Sequence, residues 1–121
     1  MADRFDYVLE SQRGSLEDVP HGGEVPYVFG AMDSNWFSPL ATTKLAISDQ
    51  DRAVSVGIIG CWAAFAKHGD PSRTAYCADW KPYSVDRGWF VFSDKPSVKQ
   101  NLDQEQLDVV DQQPKVPGLR Q

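Results

Sequence analysis

Between residues 51 and 68 apolar side chains recur at three- and four-residue steps. Val54, Ile58, Cys61, Trp62, Phe65 and Ala66 fall on one stripe, the pattern of an amphipathic helix. Ser48 or Asp49 can cap its start, and Asp49 and Asp51 suit the positive end of the helix dipole. Lys67 and His68 suit the negative end, and Gly69-Asp70-Pro71 stops the helix. His68 is therefore read as a cation near a helix terminus rather than as a ligand or base.

Elsewhere the pattern is shorter-ranged. Residues 5–9 (Phe-Asp-Tyr-Val-Leu) and 88–93 (Gly-Trp-Phe-Val-Phe-Ser) are rich in aromatic and β-branched residues and are predicted as strands. A strand so near the start has no obvious early partner, although its backbone groups must pair with something. Asp94-Lys95-Pro96 has turn chemistry, so residues 97–102 are expected to return as a weaker hairpin arm. Residues 24–29 read as a short helical turn, with Pro26 in its first turn and Gly30 at its end. Polar residues 11–20 form a loop, 33–45 an irregular aromatic connection and 71–87 a turn-rich one. Residues 104–110 suit a short helix, and 112–121, with two prolines, suit a disordered tail. The predicted unit is one domain over residues 1–111, without internal repeat.

Composition narrows the function more than the fold. The chain has 121 residues, enough for a core, and 17 acidic against 12 basic residues give a net charge of −5. That balance offers no footprint for nucleic acid or an anionic membrane, and no apolar run is long enough to span a bilayer. Met1-Ala2-Asp3-Arg4 is not followed by the apolar stretch of a signal peptide, so none is expected in this chain; the compartment is left open. Cys61 and Cys77 lack metal-ligand spacing. Their even count allows a disulfide, but the expectation is two unpaired thiols, Cys61 lying on or near a buried helix face.

The candidate chemistry lies in His21-Gly22-Gly23-Glu24-Val25-Pro26-Tyr27-Val28-Phe29-Gly30. A histidine at the end of a loop, followed by two glycines and an apolar turn, is a way to present an imidazole on backbone held still from behind. No nucleophile accompanies it. The nearest approach to a G-x-S-x-G elbow is Ala53-Val54-Ser55-Val56-Gly57, but an elbow needs a strand before the serine and a strained turn at it. Ser55 falls inside the predicted helix instead, where its role is packing or capping. Asp6, Asp18 and Glu24 are acids near His21 in sequence, and no spacing selects one as its partner.

In order along the chain, several blocks resemble the type-B carboxylesterases. Arg4-Phe5-Asp6-Tyr7-Val8 looks like that family's strand before the histidine loop, and residues 21–30 look like its histidine segment. Asp51 and Ser55, then Trp62-Ala63-Ala64-Phe65-Ala66-Lys67-His68-Gly69-Asp70-Pro71, resemble its long helix with a Trp-x-x-Phe-Ala-x-x-Gly-Asp-Pro end. Residues 80–83 resemble its tryptophan-proline-tyrosine turn, and 89–92 with 97–102 its closing hairpin. The departures are Asp18-Val19-Pro20, where the family usually has a small pair, and Lys81, which splits the tryptophan-proline pair.

The resemblance implies an α/β fold, the C-terminal part of an α/β-hydrolase: one or two sheet strands, the histidine loop, the helix near 51–68 and the hairpin near 88–102. It implies that His21 is the general base of a serine–acid–histidine triad, that Glu24 supports the loop, and that neither metal nor cofactor takes part. The serine and the oxyanion hole would be encoded outside this chain, leaving it inactive alone. A carboxylic ester would be the partner of the full-length enzyme only, and an N-terminal hydrolase fragment a possible protein partner. The alternative is a non-catalytic binding module derived from the same fold.

Overall fold

In the computed structural model, which describes residues 1–32, 45–83, 87–102 and 104–111, the aromatic segments near the two ends of the chain meet. Strand β1 (Asp3–Phe5) runs parallel to β2 (Gly88–Phe92), with Asp3 opposite Phe90 and Phe5 opposite Phe92. β2 turns back into β3 (Ser97–Gln100) as an antiparallel hairpin, giving the order β1-β2-β3. The sheet is thus the expected early strand set beside the expected closing hairpin.

The first strand is shifted from its predicted span of 5–9. Asp6 N–H still reaches the Phe92 carbonyl at 2.9 Å, but β2 ends there, and Tyr7 onward has no ladder to join. The alternation of Tyr7 and Leu9 instead marks side chains that enter the core, both about 2% exposed. Leu9 C=O accepts from Gln12 and Arg13 N–H, closing the 3₁₀ turn Glu10–Gln12.

The short helix α1 (Val25–Val28) follows the histidine loop, and the long helix α2 (Asp49–His68) shares its core with the β2 side chains. Ser48 caps α2 through a capping box: its Oγ accepts from Asp51 N–H, and Asp51 Oδ2 accepts from Ser48 N–H. Gly69, at φ +71°, ends it with its N–H on the Phe65 carbonyl. Asp51, Val54, Ser55, Ile58 and Cys61 face inward, against Tyr7, Leu9, Tyr27, Phe90 and Phe92. Helix α3 (Gln104–Asp111) closes the described chain, near its predicted span of 104–110.

The expectation of unpaired thiols is overturned: Cys61 and Cys77 form a disulfide, and both are fully buried. After Asp70 caps the 3₁₀ turn Pro71–Arg73, the chain folds back along α2 and brings the two Cα atoms to 6.0 Å, within reach of a bridge. A glycine makes the approach possible. A Cβ on Gly57 would stand 2.6 Å from the Tyr76 ring. Tyr76 stacks on Phe92 and donates its hydroxyl to the Ser93 carbonyl at 2.7 Å, tying this connection to the hairpin. Four residues on, Trp80 stacks on Phe90 and donates its indole N–H to the Ala2 carbonyl. The irregular segment expected at 33–45 falls almost wholly outside the described residues, as does the tail 112–121.

Candidate active site

The backbone around His21 is fixed by glycines. Gly22 takes φ +76°, a left-handed conformation that side chains resist. Gly23 N–H donates to the Pro20 carbonyl at 2.9 Å, which closes a turn over His21. A Cβ on Gly23 would lie 2.7 Å from Val19 Cγ1 and 2.9 Å from the Pro20 carbonyl oxygen, so only glycine fits. Val25 N–H then bonds the Gly22 carbonyl, and α1 begins. The result leaves His21 exposed on the outer side of a tight turn.

Behind the turn the packing is dense. Tyr27, 1% exposed, inserts from α1 beneath the loop, with its ring 4.9 Å from Phe5 and 5.6 Å from Tyr7. Ser55 Oγ donates to the Tyr27 carbonyl at 2.8 Å, pinning α1 to α2. Asp51 anchors the other flank: its Oδ1 accepts from the Tyr7 hydroxyl at 2.8 Å and from Glu10 N–H at 3.1 Å. Arg13 lies over the Tyr7 ring, 5.2 Å from its centroid. Burial, then the hydrogen bond to Asp51, holds the Tyr7 hydroxyl far above the ordinary phenol range. Burial does the same to Tyr27. A narrow cavity of about 30 Å³ remains under the loop, between Tyr7, Leu9, Val19, Gly23 and Tyr27.

Glu24 precedes α1 and is exposed. Its carbonyl accepts from Tyr27 and Val28 N–H, while its carboxylate makes no capping bond. Asp6 and Asp18 are exposed as well. Among the described residues no hydrogen bond or ion pair joins a carboxylate to the His21 ring. Ser55 is buried within α2, 3% exposed, with its hydroxyl committed to Tyr27. It has neither the strand nor the turn of a nucleophile elbow. The described residues therefore bring together an accessible imidazole and a rigid backing, and no nucleophile elbow is found among them.

Sequence reasoning missed part of that backing. Sequence position makes Asp51 a partner for the helix dipole, whereas in the fold it is fully buried and joins three donors from two segments. The Ser-x-x-Asp spacing of a capping box was legible at residues 48–51; the long-range contact to Tyr7 was not. Among the described residues no three His, Cys, Asp or Glu side chains converge on a possible metal position. Nor is any described helix long and apolar enough to cross a membrane.

Residues 3–110 match the carboxylesterase family. The chain belongs to that family. Bile salt-activated lipase of Rattus norvegicus is 34% identical over 88 residues, which are 68% of this chain and 13% of the lipase. The lipase of Mus musculus is 36% identical over 73 residues, 59% of this chain and 11% of its own. Among solved structures, a PNB esterase superposes with a TM-score of 0.69 at 23% identity, over 93% of this chain and 21% of the esterase. A thermophilic PNB esterase does so at 0.68, also 23% identical, over 88% and 20%. This carboxylesterase chain is thus a segment of the type-B kind with part of an α/β-hydrolase fold, spanning about a tenth of the length of these curated relatives.

Proposed function

We propose that this carboxylesterase chain is the C-terminal, histidine-bearing segment of a serine hydrolase acting on carboxylic esters, and that His21 is its general base. The observation that carries this reading is the His21 turn itself. An exposed imidazole stands on a glycine-locked backbone, braced by Tyr27 and Ser55, within a chain that matches the carboxylesterase family from residue 3 to 110.

In the complete enzyme the imidazole accepts the proton of the serine hydroxyl as that oxygen attacks the ester carbonyl. It then returns the proton to the departing alcohol, and repeats the exchange with water to release the acid. A carboxylate from the rest of the fold orients the ring, and backbone N–H groups there hold the oxyanion. Glu24 keeps a supporting place at the start of α1. Without those parts the acyl-enzyme route has no starting atom, so the chain alone is inactive.

Two assays test the reading. The purified chain, given a short-chain aryl ester, should turn over no faster than its His21→Ala variant; hydrolysis sensitive to a serine-directed inhibitor would overturn the reading. A chimaera in which residues 3–110 replace the matched fifth of a PNB esterase should hydrolyse esters. In it, His21→Ala should cost a factor of roughly 10⁴ or more in kcat.

A further inference from the structure

Residues 74–80 run along α2 without forming a helix or strand of their own. Two glycines let them come close: Gly57 admits the Tyr76 ring, and a Cβ on Gly60 would stand 3.8 Å from Thr74 Cγ2. Glycine weakens a helix interior, so this face of α2 gives up intrinsic stability to receive the connection. Side chains then tie the connection down. Tyr76 holds the Ser93 carbonyl, Trp80 the Ala2 carbonyl, and Cys77 is bonded to Cys61. The Ala2 carbonyl also accepts Phe90 N–H at 3.1 Å, where the β1–β2 ladder starts. The bridge thus anchors the segment whose Trp80 holds the first strand of the sheet.

The bridge is closed to reagents from outside. Both cysteines are 0% exposed. Thr74 Oγ1 lies 3.3 Å from Cys61 Sγ and accepts Cys77 N–H at 3.3 Å, so this residue is packed on the pair. Thiol–disulfide exchange needs a thiolate to reach one sulfur of the bridge. In the folded chain neither sulfur offers that approach, so oxidation has to precede closure.

We infer that the Cys61–Cys77 bridge is a maturation lock, set by an external disulfide oxidant before residues 74–80 settle on α2, and that this chain reaches its fold in an oxidising compartment. One cysteine thiolate attacks the oxidant's disulfide and displaces one of its sulfurs as a thiolate. The other attacks the mixed disulfide at the protein sulfur, forming the bridge and releasing the second thiolate. The two cysteine thiols lose two protons and two electrons, and the oxidant's disulfide becomes two thiols. Where reduced thiols prevail, the same exchange runs in reverse while the sulfurs are still open, and the bridge is not kept. A small-molecule disulfide and the disulfide of a protein oxidoreductase supply the same chemistry. None of this depends on the role of His21.

Three measurements on the full chain test it. Dithiothreitol, followed by alkylation and mass spectrometry, should open the native bridge roughly tenfold or more slowly than the bridge in urea. Equal rates would show an accessible bridge and overturn the inference. The reduced, urea-unfolded chain should regain near-ultraviolet circular dichroism on dilution into glutathione disulfide, and not into reduced glutathione. Recovery in glutathione disulfide alone makes a small-molecule oxidant sufficient, and recovery only with an added thiol–disulfide oxidoreductase makes the oxidant a protein; both uphold the lock. Equal recovery in reduced glutathione overturns it, as does recovery in none of these. Made with an export leader in a bacterial periplasm, the chain should be soluble and free of thiols, several-fold above its yield from a reducing cytosol. Cys61→Ala with Cys77→Ala should remove that difference. A double variant that keeps it, or a wild type that shows none, overturns the inference.

Discussion

At Gly23 a single methyl group meets Val19 on one side and a carbonyl oxygen on the other. Gly23→Ala should therefore destabilise the fold by about 1–3 kcal/mol, read from urea unfolding, and lower turnover in the chimaera by displacing His21. Asp51 is the other sensitive position. Asp51→Ala leaves the Tyr7 hydroxyl and two backbone N–H groups without their acceptor, a loss of about 3 kcal/mol or more. Tyr7→Phe removes one donor only and should cost about 1 kcal/mol, so unfolding midpoints of the two variants separate the carboxylate's role from the hydroxyl's. The buried phenols set an alkaline limit. Tyr7 and Tyr27 are raised by burial, and Tyr76 is pushed up to about 12 by burial and then by Asp94. A raised folded value means that this stability is complete below the free phenol value near 10 and lost as pH climbs through the folded values. Tyrosinate absorbance should thus rise together with the loss of circular dichroism above about pH 10, not before it.

At the scale of elements, the bridge between Cys61 and Cys77 joins α2 to the connection that carries Trp80. It closes a loop of 16 residues, so reduction or Cys61→Ser should lower stability by about 3 kcal/mol, seen as a fall in Tm on adding reductant. What was legible here was local. The three- and four-residue rhythm of α2, its Ser48 cap and Gly69 stop, the β2–β3 hairpin and the Pro26 turn before Gly30 all follow from neighbours in sequence. The histidine segment was legible for the same reason: His21, Gly22 and Gly23 stand side by side. The disulfide, the Asp51–Tyr7 bond and the end of β1 at Phe5 depend on which distant segments meet, and spacing alone carries no such information. The sequence pattern also placed Trp62 and Phe65 on the core stripe of α2. They stay part-exposed because the three described strands cover only one flank of the helix.

For the whole molecule, part-exposed aromatic rings and a β1 edge with no described strand beside it predict weak solubility. The isolated chain should show marginal stability and concentration-dependent association in sedimentation, with Trp62→Lys shifting it towards monomer. A cooperative melt of a concentrated, monomeric wild-type chain would contradict this. The pairing of Asp3 with Phe90 has its own consequence for biosynthesis. β1 leaves the ribosome well before β2, so the ladder between them waits until α2 and the connection carrying Cys77 and Trp80 have been made. Closure over so long a loop is slow, which favours mispairing with neighbouring nascent chains before the native ladder can close.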